Sequence, residues 1–227
     1  LSTSDTDVAG KGPGKSTNAI ESYTASIYAD KVTDNGYLEG SITFGTNENA
    51  TTRKINTSGI SRSYKGSYDS EQVSLKIGGG VPTQMDNGAF ITTFGSITGT
   101  EIKTDSYTET STTANDNLRL KVDQEDVLSI VGSVGFKIHT VSDNGTPFFS
   151  LAINNEFGDD TIENTNTYQG GGSSFKTSTK VEELSATIGL GFSFGSDMTS
   201  GNFGYEAEAN KEDYLSHYGS FKIVHKF

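Results

Sequence analysis

Residues 219–227 read Gly-Ser-Phe-Lys-Ile-Val-His-Lys-Phe, and this stretch decides how the rest of the chain is interpreted. Four of its side chains share one face because they occupy alternate positions: Phe221, Ile223, His225 and Phe227. A period of two is that of a β-strand with one apolar face. The stretch ends on an aromatic residue, which suits the aromatic girdle of a membrane β-barrel, where the terminal carboxylate stays in water. The alternative is the last strand of a soluble β-sandwich.

The composition narrows the class of protein. A chain of 227 residues fits one all-β domain, and its 27 Gly, 3 Pro and many Ser, Thr and Asn favour strands and turns over helices. Only 32% of the residues are hydrophobic and the mean hydropathy is −0.46, which is low for a protein with a solid core. No apolar run reaches the length of about 18 residues that a transmembrane helix needs. A barrel strand needs apolar residues only at alternate positions.

Charge and cysteine content exclude further classes. The net charge of −12 argues against a nucleic acid partner, because binding to phosphate backbones needs clusters of Lys and Arg. The absence of Cys removes disulfides and thiolate metal sites. No signal peptide is visible at Leu1, which indicates a processed chain or a piece of a longer one.

Alternating apolar residues predict nine strands. They span 22–31, 37–46, 68–79, 89–102, 126–140, 147–157, 182–195, 202–210 and 219–227. Several reach the ten or so residues that a tilted membrane strand needs. Their apolar faces carry no Asp, Glu, Lys or Arg, except that the fourth strand is apolar on both faces and its parity stays open. A barrel and a sandwich would both keep charge off such faces.

The connections separate these two folds. Short turns, three of them with Asn-Gly, join the strands at 33–36, 86–88, 142–145 and 195–201. Long polar connections alternate with them at 47–67, 103–125 and 158–181, with a shorter one at 211–218. Outer-membrane up-and-down barrels sort their loops in this way, and a Greek-key sandwich has no reason to. The sequence therefore predicts a transmembrane antiparallel up-and-down β-barrel.

Three stretches carry a resemblance to a known family. They are residues 118–135, the Pro-aromatic to Glu-Phe strand 147–157, and residues 182–191 followed by the closing strand. Together they resemble the C-terminal β-barrel translocator domain of the classical, type Va autotransporters, over residues 22–227. The chain departs from the family in two ways. Family barrels have twelve strands where nine are visible here, and the third residue from the end is usually Tyr or Phe where this chain has His225.

The missing strands lead to an expectation about the domain. A barrel must pair its first and last strands to leave no edge in lipid. We expect a partial chain, in which residues 1–21 form a polar loop that follows missing N-terminal strands and residues 22–227 form the barrel. A smaller barrel, or strands not recognised in the sequence, stays open as the alternative.

The resemblance implies a function in the outer membrane of a Gram-negative bacterium. The barrel would anchor a passenger domain located upstream on the same polypeptide and help to move it to the cell surface. The partners would be outer-membrane lipid and the barrel-assembly machinery, which would recognise Phe221, Ile223, His225 and Phe227 as an assembly signal. The resemblance further implies a monomer that is not an enzyme. The alternatives are a stand-alone porin-like or adhesive barrel without passenger, and a soluble sandwich or surface-binding module.

Few motifs point to chemistry. Residues 9–16 fit a permissive phosphate-loop pattern, but no apolar strand precedes them and a strand pattern follows, so we expect an ordinary loop. His139, His217 and His225 are scattered. Asp159, Asp160 and Glu163 lack the spacing of a calcium loop and are expected to be solvated. No catalytic residue, metal site or cofactor is predicted.

Overall fold

The computed structural model describes residues 2–9, 16–57, 59–113, 116–142, 145–195, 198–211 and 214–225. These ranges form fifteen strands: β1 Ser2–Ala9, β2 Thr17–Thr33, β3 Gly36–Thr57, β4 Ile60–Gln84, β5 Phe90–Thr104, β6 Tyr107–Thr108, β7 Thr110–Ser111, β8 Leu120–Gln124, β9 Val127–His139, β10 Thr146–Glu156, β11 Thr161–Tyr168, β12 Phe175–Lys180, β13 Leu184–Gly195, β14 Thr199–Asn210 and β15 Leu215–His225. None of the described residues belongs to a helix able to cross a membrane.

Ten strands form the backbone of one antiparallel sheet, which we call the main sheet. Its order is β1-β2-β3-β4-β5-β9-β10-β13-β14-β15, and the short β7 pairs with β4 beside it. Strands that follow one another in the sequence are neighbours in the main sheet. This order confirms the predicted up-and-down arrangement. A strand of the main sheet is present at each of the nine predicted places. The edges are β1 and β15, and in the described ranges these two strands do not pair with each other.

Apolar side chains of neighbouring strands lie side by side on one face of the main sheet, which we call the apolar face. Leu75 of β4 lies opposite Gly99 of β5, and Gly99 lies opposite Ile130 of β9. Farther along the sheet, Leu151 of β10 pairs with Ile188 of β13. Because side chains alternate along a strand, a continuous register carries one chemical character across the whole sheet.

The register also settles the strand whose parity the sequence left open. Ile97 of β5 lies opposite Ile77 of β4 and is 62% exposed on the apolar face. Phe94, three residues earlier, therefore points to the other side, where it lines a groove with Lys76 and Lys137. Strand β5 is apolar on both faces because Ile97 belongs to the apolar face and the ring of Phe94 packs on the opposite face.

That second face is concave, and we call it the concave face. A groove of about 570 Å³ gathers side chains from seven strands of the main sheet: Tyr37, Lys76, Phe94, Lys137, Phe148, Ser193 and Glu206. Neighbouring strands are ~4.8 Å apart, so a flat sheet would spread these residues too widely for one groove. The main sheet is thus curled, as a barrel wall is.

The predicted N-terminal loop at 1–21 is wrong where the structure describes it. Residues 2–9 are strand β1, and β2 already begins at Thr17. The two strands pair in register from Ser2 with Thr24 to Ala9 with Thr17. Residues 2–7 are all Ser, Thr or Asp, so they have no apolar period and only backbone pairing reveals the strand. The phosphate-loop pattern lies mostly outside the described residues, and the stretch after it is β2 rather than the helix that such a loop needs.

The first long connection is also not a loop. Residues 47–57 continue β3 and residues 60–67 continue β4, and Gly59 turns the chain with a φ of 85°. We call residues 45–57 and 60–70 the protruding hairpin. Both of its faces carry mainly polar residues with a few large side chains such as Arg53 and Tyr64, so the apolar period that marks the lower part of the strands is lost.

The other two long connections build a second sheet. Its order is β12-β11-β8-β6, with β6 and β8 from the connection at 103–125 and β11 and β12 from that at 158–181. We call residues 105–126 and 158–181 the cap. These stretches were predicted as loops because polar strands that face water or each other show no apolar alternation.

Most of the fully buried side chains lie between the cap and the protruding hairpin rather than in the lower part of the main sheet. Tyr64 of the hairpin is completely buried, and Leu120 and Val122 of the cap are almost completely buried. The polar members are Asn49, Ser70, Glu109, Asp116 and Asn166. The core of this molecule therefore joins the cap to the hairpin.

Candidate functional site

The two faces of the main sheet offer different surfaces. On β4, β5, β9 and β10 the apolar face carries no Asp, Glu, Lys or Arg at positions 73–83, 91–99, 128–138 and 147–157. Large apolar side chains are widely exposed there, among them Val134 and Ile153. Monomeric water-soluble proteins rarely expose an apolar surface of this extent.

The concave face carries polar and charged side chains that pair with one another. Lys76 Nζ lies 2.8 Å from Glu39 Oε1. Asn154 donates from Nδ2 to Thr187 Oγ1 at 2.9 Å, and Asn202 does the same to Ser193 Oγ at 2.8 Å. Because these groups satisfy each other, the face is hydrophilic without presenting one strong binding site.

Aromatic rings cover glycines on the same face. The ring of Phe148 lies where a Cβ on Gly191 would have to be, and the ring of Phe94 would be 2.8 Å from a Cβ on Gly135. Lys137 Nζ in turn lies 4.0 Å from the centroid of the Phe148 ring. Glycine at these positions lets the rings lie flat against the wall, which keeps the groove open.

One ion pair joins the protruding hairpin to the cap. Arg53 donates from Nε and Nη2 to the two carboxylate oxygens of Glu109, at 2.7 and 2.6 Å. Arg53 Nη2 also reaches the Leu118 carbonyl at 2.8 Å, and the Leu120 amide donates to Glu109 Oε2 at 2.8 Å. The Glu109 side chain is 2% exposed. A two-pronged pair of this kind fixes both position and orientation.

A second cluster surrounds Asp116. The Tyr64 hydroxyl donates to Asp116 Oδ2 at 3.2 Å, and Arg62 Nη1 lies 3.5 Å from the same oxygen. The Leu118 amide, followed by the Tyr64 hydroxyl and Arg62, lowers the pKa of Asp116 despite its burial. Arg53 stacks over the Tyr64 ring at 4.3 Å and so links the two clusters.

A stacked pair of tyrosines completes the contact. The rings of Tyr68 and Tyr107 are 4.9 Å apart, and Tyr107 lies over Gly66. Burial, with Glu109 nearby, raises the pKa of Tyr107 to about 12. Arg53, Tyr64 and Tyr68 share the parity of Tyr37 and Lys76 in the continuous β3–β4 register, so the cap packs on the concave side of the hairpin.

Sequence reasoning missed the cap contacts, although one signal was present. The three arginines of the chain are Arg53, Arg62 and Arg119, and all of them fall in the long connections. Arg is the residue best suited to buried, two-pronged ion pairs. Their concentration in stretches predicted as loops indicated packed structure there. Their partners, 56 residues away in the case of Arg53 and Glu109, were not identifiable from the sequence.

The family model of the autotransporter beta-domain matches residues 1–206. The chain belongs to the autotransporter β-domain family. The match begins at residue 1, in agreement with the place of β1 in the main sheet.

One solved structure supports the fold of this β-domain. The chain is similar to the translocator domain of the autotransporter NalP from Neisseria meningitidis, with a TM-score of 0.70 and 19% identity over 99% of this chain and 80% of that one. It also matches the transport unit of the autotransporter AIDA-I from Escherichia coli, with a TM-score of 0.46 and 13% identity over 97% and 88% of the two chains. No curated protein sequence matches the chain.

The β-domain is therefore an outer-membrane β-barrel translocator of a Gram-negative bacterium. This confirms the predicted fold, location and transport function. It is a transport domain with a passenger in cis. The described main sheet is a curled, open part of a barrel wall rather than a closed cylinder.

The predicted assembly-signal residues lie together on the last strand. Phe221 and Ile223 point from the apolar face of β15 and are 67% and 57% exposed. His225 shares their face, and its Nδ1 lies 2.8 Å from Thr199 Oγ1 of β14. Phe227 lies outside the described residues. No observation tests their role in assembly, so it remains a prediction.

The other candidate residues are engaged in ordinary contacts. Asp159 and Asp160 are exposed, as expected of solvated acids, and Asp159 also accepts from the Leu128 amide at 2.7 Å. Glu163 is half-buried and pairs at the surface with Lys176 at 2.6 Å. His139 stacks on Phe90 with centroids 5.3 Å apart. Across the part of the chain that the structure describes, no three His, Asp or Glu residues are placed to hold a metal ion.

Proposed function

We propose that this β-domain anchors its passenger in the outer membrane through lipid contacts of the apolar face and guides it outward along the concave face. The contrast between the two faces is the observation that carries the proposal. An uncharged apolar band suits lipid, where a Lys or Arg at mid-bilayer costs ~2–4 kcal/mol. A polar wall on which many groups pair with one another suits a polypeptide that must pass without being held.

The cap lies outside the cell in this proposal, because outer-membrane barrels place their long connections there and their tight turns in the periplasm. It packs on the concave side of the protruding hairpin, so it leans over the mouth of the barrel. The passenger would pass beside the cap as it leaves. The buried Arg53–Glu109 pair keeps the cap in one position.

The last strand is proposed as the signal that the barrel-assembly machinery recognises. Strand β15 lies at an edge of the described main sheet, and an edge strand presents backbone groups that can pair with another chain during assembly. Phe221, Ile223 and His225 form a row on its apolar face, and Phe227 continues that row in the sequence. The β-domain would act as a monomer with outer-membrane lipid as its surroundings.

Catalysis is not part of the proposed role. The polar groups of the concave face hydrogen-bond to one another across strands, as Ser185 does to Glu208 at 2.5 Å. None of these contacts is the nucleophile and base pair that covalent catalysis needs. We propose that the β-domain works without a cofactor and without a nucleic acid partner.

Surface display tests the proposed function. A reporter protein replaces the passenger upstream of the β-domain in the full-length polypeptide, and this fusion is produced in the outer membrane of a Gram-negative host. We expect external protease to digest the reporter in intact cells, while the β-domain keeps a heat-modifiable mobility on an unboiled gel. The matched control lacks residues 184–227 and should leave the reporter protected. A reporter that stays protected behind a correctly inserted β-domain would overturn the proposal.

A further inference from the structure

A groove of about 850 Å³ opens on the apolar face, in the middle of the main sheet. Its floor is backbone at Gly95 and Gly99 of β5, which have no side chain, while the ring of Phe157 covers Gly132 of β9. Its walls are side chains that are each more than half exposed: Leu75, Ile77, Ile97, Val134, Ile153 and Phe157. The volume falls in the range of roughly 300–1,000 Å³ that small-ligand sites occupy.

The lining admits only an apolar occupant. No Asp, Glu, Lys or Arg lines the groove. The one polar side chain of the apolar face that does so is Asn155, whose Nδ2 already donates to the Glu156 carbonyl at 3.0 Å. A polar ligand would lose its hydration there without gaining partners.

The length of the groove along the strands is comparable to the apolar thickness of one leaflet of the membrane. Gly95 and Gly99 are four residues apart, so the floor runs for ~13 Å along β5. Because barrel strands tilt by about 35–45°, this length covers ~10 Å, or about two-fifths, of the height of the ~25 Å apolar band. The Gly99 end points toward the cap, and the first charges beyond it are Glu101 and Lys103, which pair at 3.6 Å. The groove therefore belongs to the outer half of the band and ends where polar headgroups begin.

We infer that this groove seats one acyl chain of an outer-leaflet membrane lipid. The inference rests on the proposed function, in which the apolar face contacts lipid, and the groove is continuous with that face. Elsewhere on the face, projecting side chains such as Phe149 and Leu190 meet the lipid. In the groove, the acyl chain would instead lie against the protein backbone, with apolar side chains on both sides. It would therefore dissociate more slowly than bulk lipid exchanges.

Filling the groove tests the inference. A Cβ added at Gly99 meets no heavy atom within 4 Å, so the backbone there accepts a side chain, and Gly99→Leu places its larger side chain in the groove. Gly219 on the apolar face of β15 is equally open and lies far from the groove, which makes Gly219→Leu the matched control. The three proteins are produced in the outer membrane, extracted in mild detergent and weighed by native mass spectrometry, and bound lipids are extracted and identified.

We expect the wild-type chain and Gly219→Leu to carry one lipid each, and Gly99→Leu to lose at least tenfold of that bound fraction. Gly95→Leu, where the nearest atoms are 3.5 and 3.9 Å away, is a second filled variant if the first assembles poorly. An inserted, heat-modifiable wild type that carries no lipid overturns the inference and leaves the proposed function intact. Equal lipid on the filled variants, or the mass of a second chain instead of lipid, also overturns it. A wild type that never enters the membrane contradicts the proposed function itself.

Discussion

At the scale of single residues, the Arg53–Glu109 pair is the contact on which the position of the cap depends most. Glu109 accepts from Arg53 twice and from the Leu120 amide once, and its side chain is 2% exposed. Removing one partner of a buried pair costs about 3–5 kcal/mol, because the other charge stays buried. Arg53 is 27% exposed, so the lower end of that range applies here.

Glu109→Gln should therefore loosen the cap by about 3 kcal/mol while the barrel stays in the membrane. Limited proteolysis of intact cells should cut within residues 105–126 much faster than in the wild type. Glu163→Gln is the matched control, since it breaks the exposed pair with Lys176, and exposed pairs contribute only about 0–1 kcal/mol. Equal cleavage of the two variants would show that the buried pair does not hold the cap.

Asp116 should make the cap sensitive to acid. Hydrogen bonds from the Leu118 amide and Tyr64, with Arg62 nearby, lower the pKa of Asp116 in the folded cap. A carboxyl group whose pKa is lowered by folding stabilises the folded state at pH values above its unfolded-state pKa of ~3.9. This stabilisation is lost as the pH falls through the lower pKa of the folded state. Amide exchange of the cap, corrected for intrinsic rates, should thus stay constant from neutral pH to ~5 and increase below ~4. Asp116→Asn should weaken protection at neutral pH and flatten this response, and an unchanged acid response in that variant would refute the assignment.

At the scale of strands, a ring over a glycine holds β10 against β13. Gly191→Ala forces Phe148 away from the wall and also crowds the backbone carbonyl oxygen of Phe203 on β14, which costs about 1–3 kcal/mol as overpacking does. Each kcal/mol shifts the unfolding midpoint of a chain of this size by about 2–4 °C. The midpoint of the heat-modifiable mobility shift should therefore fall by several degrees. Gly219→Ala, with no atom near its added Cβ, should leave it unchanged, and equal midpoints for both variants would mean that Phe148 moves freely.

The last strand should matter more for assembly than for stability. Deleting Phe227 removes one aromatic anchor, and full burial of such a side chain contributes about 1.5–3 kcal/mol. We expect slower appearance of the heat-modifiable form in an assembly assay, with a similar unfolding midpoint once the barrel has formed. Val224→Ala on the concave side of the same strand is the control. Assembly of the Phe227 deletion at the wild-type rate would contradict the signal.

Strand prediction from the sequence succeeded where one face of the strand is apolar and failed where both faces are polar. Strands such as β9 and β13 alternate between apolar and polar residues, and this period survives without knowledge of their neighbours. Strand β1 and the upper parts of β3 and β4 have no apolar face, so only their pairing identifies them. The cap was missed for a related reason: its core depends on contacts such as Arg53 with Glu109, which are far apart in sequence.

At the scale of the whole molecule, the main sheet has two faces of opposite chemistry. The apolar face runs across the main sheet and the concave face carries paired polar groups, while the cap sits on the concave side at one end. The family fixes the setting as an outer-membrane translocator. The open edges at β1 and β15 belong to the described sheet, and the contrast between its faces does not depend on how they are completed.

Single-cysteine labelling in intact cells tests this contrast most directly, because the chain has no cysteine of its own. Cysteines are placed one at a time from Gly95 to Thr100 on β5 and exposed to a polar maleimide. We predict a period of two, in which positions 96, 98 and 100 on the concave face react and positions 95, 97 and 99 on the apolar face are protected by lipid. Uniform labelling of all six positions, or the opposite alternation, would contradict the assignment of the two faces.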